Sequence, residues 1–556
     1  RHPDLRAVFL AGATQKQFPS AVRRGGMLTD NDREVAGANN FELEGTSSQS
    51  LIQRQYLAYI AFTRASERLY ICYPACDEKG NAEVPSQFIS NVTRLFETVE
   101  ERFVSEVDFD PAYIHNKMQL ADMLCSGVGK SVYDVDSDRR EQLLDLLAGV
   151  KQDESLCDVG CLVEDSLGYK NAASIEAATV EKLLGNDLSV SATGLGIFAN
   201  CGYRYFAKYV LELKERDNFK MRPLELGEFY HKVLDRLIKE TIKRGFDIAK
   251  MEKEQLKQLL DEVLEITISE DPFISNFNCR GEHNAFIIRQ SQEILEDFVL
   301  AMSELISAGD FRPLKSELNF GRDGAAFEIE LQAGRKLSFN GKIDRIDVAE
   351  VDGKRMALVF DYKLNSKTFN WSQFYNGLDV QMPLYLLAVR KSIGKTLGID
   401  DVAGAFYMPV KISYGKGSLA ETEVKSDKFL YKPKGLFDGR YIGSIDNNCE
   451  QGNSKYYSFF ISKEGDPYGR YGTSSAVKAD DFELILKFTE KKVVELGKDI
   501  FTGKIDIRPG RLKKKSPCSN CEFKALCRFD WQINDYNNLK AIKDKVMVVE
   551  EIRAEQ

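Results

Sequence analysis

Two aspartates and a lysine carry the first chemical suggestion. Asp344 lies in Gly341-Lys342-Ile343-Asp344-Arg345-Ile346-Asp347, and 17 residues later comes Asp361-Tyr362-Lys363. Alternation along an extended segment places Asp361 and Lys363 on one face of a strand. Asp344 falls on the neighbouring strand of the same apparent hairpin. Converging carboxylates make a hard oxygen site for Mg²⁺ or Mn²⁺. An adjacent lysine can orient an attacking water or steady the charge of a phosphorane. A bare D-x-K pair is more often an ordinary polar strand edge, so its company decides. His231, one of four histidines, sits on a helix in Leu226-Gly227-Glu228-Phe229-Tyr230-His231. Such a histidine is usually a satisfied core residue. Glu317 lies on a strand before the hairpin, and Gln381 and Tyr385, four apart, share one helical face after it.

A second constellation is built of thiols. Eight of the eleven cysteines are scattered, whereas Cys518, Cys521 and Cys527 form a C-x2-C-x5-C run. Three thiolates so close begin a metal site. No histidine or cysteine follows Cys527, so a fourth ligand must come from far away. Cys201, 317 residues before Cys518, is the candidate. Four thiolates suit zinc and iron–sulfur equally on first principles. Lys504, Arg508, Arg511, Lys513, Lys514 and Lys515 precede this run with only Asp506 against them. They read as a DNA channel or as a solvated charge run.

The elements that must position these residues follow from periodicity. Val8-Phe9-Leu10, the helical pattern Leu51 to Ala65 and the run Leu69 to Tyr73 make one α/β unit. Residues 110 to 185 read as a helical connector. Helices are expected over Leu226–Ile238, Met251–Leu264, Phe286–Leu305, Val380–Lys391 and Phe482–Leu496. Strands are expected over Lys315–Phe320, Phe327–Leu331, Leu337–Val348, Met356–Leu364 and Ala403–Val410. In the fourth of these strands, Leu358, Phe360 and Tyr362 should face one way and Val359, Asp361 and Lys363 the other. A length of 556 residues suggests about three or four domains, and 43% hydrophobic content excludes wholesale disorder. No apolar run approaches the roughly 18 residues of a membrane-crossing helix. Acids exceed bases by nine, which argues against a generally basic coat for nucleic acid but leaves room for local channels. The chain begins on Arg1 with no signal-peptide pattern, so a cytoplasmic protein is expected, as the C-terminal part of something longer.

Taken in order, Gly227-x-x-x-His231, Glu317, Gly341-x-Ile-Asp344-Arg-Ile-Asp, Asp361-Tyr-Lys363 and Gln381-x-x-x-Tyr385 resemble the RecB-type branch of the PD-(D/E)XK nucleases, over roughly residues 190 to 530. The resemblance implies that His231, Asp344, Asp361 and the backbone carbonyl of Tyr362 bind the metal. It implies that Lys363 is catalytic and that Gln381 and Tyr385 support the site and DNA, with Glu317 matching a family acid. One cysteine before this core and C-x2-C-x5-C after it is similar to the [4Fe–4S] nucleases of the AddB type. There a cluster on residues matching Cys201, Cys518, Cys521 and Cys527 staples the two ends of the domain. Gln55 to Ile71 resembles the last motif of UvrD-type superfamily 1 helicases, with Arg64 where an arginine reaches the ATP γ-phosphate. Val8 to Gly12 with Phe18-Pro19 resembles the preceding motif, although Thr14-Gln15-Lys16 stands where acids are usual. The chain has no G-x-x-x-x-G-K-[ST], so ATP is not expected to bind it alone.

The expected architecture is therefore α/β. The end of a helicase-like RecA-type domain spans 1–110 and a helical connector 111–185. A nuclease domain, a mixed sheet flanked by helices with an iron–sulfur staple, spans 186–556. The resemblance implies a metal-dependent deoxyribonuclease component of a helicase–nuclease complex that resects double-strand breaks for recombinational repair, cleaving single-stranded DNA beside an AddA-type helicase–nuclease partner. A non-catalytic, Chi-scanning DNA scaffold and a free-standing iron–sulfur exonuclease of the Cas4 or Dna2 kind are the rivals. Intact His231, Asp344, Asp361 and Lys363 oppose the first, and the helicase-like motifs oppose the second.

Overall fold

A computed structural model of the chain describes residues 5–20, 28–41, 43, 45–77, 81–104, 114–131, 137–214, 223–321, 324–331, 334–411, 429–531 and 533–555. The expected boundary near residue 110 lies outside the described residues. Two compact units emerge, Arg1–Leu167 and Gly168–Gln556, with the division falling inside the stretch read as a connector. Among the described residues no helix is long and apolar enough to cross a membrane.

In the first unit, strands Leu5–Leu10 and Ala65–Ile71 pair in parallel, joined through helix Ser47–Thr63. That helix starts on a capping box, Thr46 with Gln49, and stops at Arg64. Helices Lys117–Ser131, Ser137–Gln152 and Cys157–Gly168 continue the chain, as the helical reading of this stretch anticipates.

The second unit is built on a six-stranded mixed sheet. Its order is Ala476–Val477, Lys434–Asp438, Asp401–Pro409, Lys354–Lys363, Gly341–Val351, Arg312–Phe320. The hairpin Gly341–Val351/Lys354–Lys363 turns on Asp352-Gly353, both with positive φ, 52° and 74°. This is the conformation a two-residue primed turn demands, and Asp-Gly supplies it at low cost. Strand Lys354–Lys363 lies inside the sheet and is buried on both faces. Ala357 and Val359 pack with helices Gln381–Ala388 and Ala479–Phe501. Leu358, Phe360 and Tyr362 pack with Pro223–Lys243, Lys253–Glu270 and Glu282–Ser307. The alternation expected for this strand therefore separates two hydrophobic cores, one per face.

The expected single strand Leu337–Val348 is two. Lys336–Phe339 belongs to a three-stranded sheet with Asp187–Val190 and Glu328–Glu330, and Gly341–Val351 belongs to the main one. The break falls at Asn340, whose N–H donates to the Val190 carbonyl as the last bond of the parallel Asp187–Val190/Lys336–Phe339 ladder. Gly341 follows because a Cβ there would meet the Phe320 ring. Periodicity misses the break because both segments are extended.

The sheet interior holds a fully buried cation, Arg345. Arg345 donates to Asp347 Oδ1 at 2.8 Å and to the Tyr362 hydroxyl at 3.0 Å, and lies over the Phe360 ring. Burial raises the Asp347 carboxyl and Arg345 opposes that rise. Arg345→Met should cost about 3–5 kcal/mol in denaturant unfolding, because it strands a buried carboxylate. Arg345→Met with Asp347→Leu should recover most of that loss; equal destabilisation by both variants would contradict the pairing.

Candidate metal centre

The strand register brings the carboxylates together. Asp344 and Asp361 occupy neighbouring antiparallel strands, and the Tyr362 N–H donates to Asp344 Oδ2 at 2.6 Å, fixing that carboxylate from the adjacent strand. Ser316 Oγ donates to the Asp344 carbonyl at 3.1 Å. Glu317 sits between the pairs Ser316–Arg345 and Leu318–Ile343, opposite Asp344, with φ of 48°. A non-glycine residue in this region marks a locally constrained backbone. Here it accompanies a carboxylate that reaches His231 on the crossing helix Pro223–Lys243. His231 Nδ1 stands 3.2 Å from Asp344 Oδ1 and 3.6 Å from Glu317 Oε1.

His231, Glu317 and Asp344 offer ligand atoms all within 4.8 Å of one another. Asp361 adjoins them. Its Oδ1 accepts from Gln381 Nε2 at 2.6 Å, its Oδ2 is ion-paired with Lys363, and Gln381 also donates to the Tyr385 hydroxyl at 3.1 Å. The structure thus gathers every sequence-derived residue of this constellation. Glu317, a plain strand acid in the sequence, stands among the tightest ligand atoms; its backbone conformation carries no sequence signal. The Tyr362 side chain is buried, its hydroxyl accepting from Arg345, so only its backbone is available to the centre.

The electrostatics describe a pocket with too much negative charge. Burial would lower the His231 pKa, yet the neighbouring carboxylates of Asp344 and Glu317 push it up to about 10. Burial and then repulsion from Asp344 raise Asp361 to about 6, against the pull of Lys363. Burial would raise Glu317 too, but His231 and Lys342 hold it below the usual range. Glu317 Oε1 is buried without a hydrogen-bond donor. An imidazole with several carboxylate oxygens fits a divalent cation such as Mn²⁺ or Mg²⁺.

The four predicted cluster cysteines also meet. Cys201, Cys518, Cys521 and Cys527 line one cavity with the apolar side chains of Ile507, Pro509, Phe523 and Phe529. Burial pushes Cys201 up to about 11, and the three other thiols add to the shift. Gly202 allows the approach, because a Cβ there would sit 2.4 Å from the Lys504 carbonyl oxygen. Arg204 Nη2 donates to Glu522 Oε2 at 2.7 Å, tying the same two segments. Asn171 Nδ2 donates to the Cys527 and Arg528 carbonyls at 2.9 and 3.0 Å. The donor set, four thiols converging between apolar walls, fits a thiolate-ligated iron–sulfur cluster or zinc. Lys504, Arg508, Arg511 and Lys513 to Lys515 are all exposed. Arg508 and Arg511 border an open hollow with Trp531 and Tyr536.

A cation entering the acidic pocket competes with the proton on His231. Mn²⁺ binding should therefore release about one proton and tighten as pH rises toward 10. Calorimetry in buffers of different ionisation enthalpy reads the released proton directly. His231→Gln should abolish the release, and a proton count unchanged in that variant would contradict the arrangement.

The family model of the PD-(D/E)XK nuclease superfamily matches residues 189–528. Over its full length the chain is 30% identical to the B subunit of the ATP-dependent helicase/deoxyribonuclease of Bacillus cereus (strain G9842), covering 49% of that protein. It is 30% identical to the corresponding protein of Bacillus mycoides (strain KBAB4) and 29% identical to that of Bacillus anthracis, with the same coverage. The chain thus spans about half the length of the curated relatives it matches. With the mixed sheet and the acidic centre at its strands, this match shows that the chain belongs to the PD-(D/E)XK nuclease superfamily.

Proposed function

We propose that this protein is the nuclease-bearing part of one component of a helicase–nuclease complex, hydrolysing phosphodiesters of single-stranded DNA during double-strand-break resection. The observation that carries the reading is the convergence of His231, Glu317 and Asp344, with Asp361 and Lys363 beside them. In this reading His231, Asp344, Asp361 and the Tyr362 carbonyl hold Mg²⁺ or Mn²⁺, and Glu317 joins them. The bound ion would polarise a phosphoryl oxygen and acidify a water. Lys363 Nζ, now paired with Asp361, would orient the attacking water and steady charge developing on the phosphoryl group. Gln381 fixes the Asp361 carboxylate, and Tyr385 fixes Gln381. In this reading the exposed basic run before Cys518 would meet the DNA backbone. The similarity to the B subunits of helicase/deoxyribonucleases supports an AddA-type partner that supplies the ATP-driven motor. The strand–helix–strand unit carrying Arg64 is then the end of a helicase-like domain.

Asp344→Ala should abolish Mg²⁺-dependent cleavage of a single-stranded oligonucleotide with the melting temperature retained. Lys363→Ala should lose turnover while still binding Mn²⁺. Cleavage at the unmodified rate by Asp344→Ala would overturn the assignment.

In the same reading the four cysteines hold a [4Fe–4S] cluster that staples the ends of the nuclease unit. Closing the loop between Cys201 and Cys518 contributes about 6 kcal/mol in the chain-entropy treatment. Cys201→Ala should therefore lose iron, melt earlier and become protease-sensitive near residues 500–530, whereas Cys279→Ala and Cys449→Ala should do none of these. Zinc in place of iron after anaerobic purification would contradict the cluster.

A further inference from the structure

Just beyond Lys363 a second lysine is fixed in place. Lys367 Nζ lies 2.9 Å from Asp379 Oδ2 and 4.0 Å from the centre of the Tyr407 ring. The Tyr407 hydroxyl donates to Asp379 Oδ1 at 3.0 Å. Asp379 and Tyr407 are buried, while the Lys367 side chain keeps 36% of its exposure. Tyr407 is the register partner of Asp361, and Lys363 Nζ stands 5.4 Å from the same ring. The two ammonium groups are therefore within about 10 Å of each other, beside the acidic centre.

This arrangement does more than cover a strand edge. A free surface lysine has rotamer entropy to lose on gripping a ligand. Lys367 is already held by a carboxylate and a ring face. Asp379 holds the ammonium as an ion pair, and the Tyr407 hydroxyl shares the carboxylate charge from the buried side. The exposed end of the assembly is thus cationic. Lys363 is engaged with Asp361, whereas Lys367 depends on no carboxylate of the metal centre.

We propose that Lys367, positioned by Asp379 and Tyr407, is a second phosphate-binding residue that grips the DNA phosphate next to the one being cut. The proposal rests on the nuclease reading for its substrate, and its test reads binding rather than cleavage. Single-stranded oligonucleotides with one neutral methylphosphonate linkage, moved stepwise along the strand, would be bound by the whole protein in Ca²⁺ and followed by anisotropy. One linkage should weaken binding to the parent protein and be silent in Lys367→Ala, and Lys367→Arg should restore it. Lys367→Ala should also lower the salt slope of binding by about 0.7, the share of one phosphate on a single strand. Asp379→Asn, with the lysine intact, should blunt the same linkage effect. An interference map and salt slope unchanged in Lys367→Ala overturn the proposal. If the parent protein shows the interference yet cuts no DNA in Mg²⁺ or Mn²⁺, the catalytic reading fails and the phosphate grip stands.

Discussion

Carboxylates of like charge share a buried pocket only when positive charge joins them, and the second unit is arranged around that requirement. Asp344, Glu317 and Asp361 are supplied by three strands of one sheet, and each is answered by a cation: His231, Lys342 and Lys363 respectively. The raised pKa values of His231 and Asp361 are two expressions of the same surplus of charge. Strand order sets this geometry. Arg312–Phe320, Gly341–Val351 and Lys354–Lys363 are consecutive neighbours, so their acids meet without any long side chain having to bridge a gap.

Around the acids the sheet is rigid for reasons unconnected with charge. The strand that carries Asp361 and Lys363 is covered on both faces by separate hydrophobic cores. Asp361 is further locked by Gln381, on a helix whose exposed surface is slight. A site on such a strand holds its atoms more narrowly than a loop would, which is what positioning a phosphoryl group requires.

The cysteine cluster answers a different problem. Cys201 lies between helices Ala192–Asn200 and Gly202–Tyr205 in the early part of the unit and Cys518 to Cys527 lie near its end, so the same chain must be folded back upon itself before the thiols can meet. Gly202, the Arg204–Glu522 pair and the Asn171 amide all act at that junction. These contacts draw the segments together around the thiols, and a four-thiolate ligand would fasten the same approach.

Much of this was legible in the sequence. The D-x-K strand, the second aspartate one hairpin away and the C-x2-C-x5-C run are local patterns, and local spacing maps directly onto the face of a strand or the turns of a short loop. The alternation of Leu358, Phe360 and Tyr362 against Val359 and Asp361 is likewise a property of the extended chain. Other features depend on distant segments. Glu317 enters the centre through a left-handed backbone position, Lys336–Phe339 leaves the main sheet to pair with Asp187–Val190, and Lys367 is fixed by Asp379 and Tyr407 from elsewhere in the fold. The sequence by itself determined which residue types could do chemistry and on which strand face they stood. Only the tertiary structure decided which of them share a pocket, because that depends on strand order, on close backbone approaches and on burial, none of which has a period in the chain.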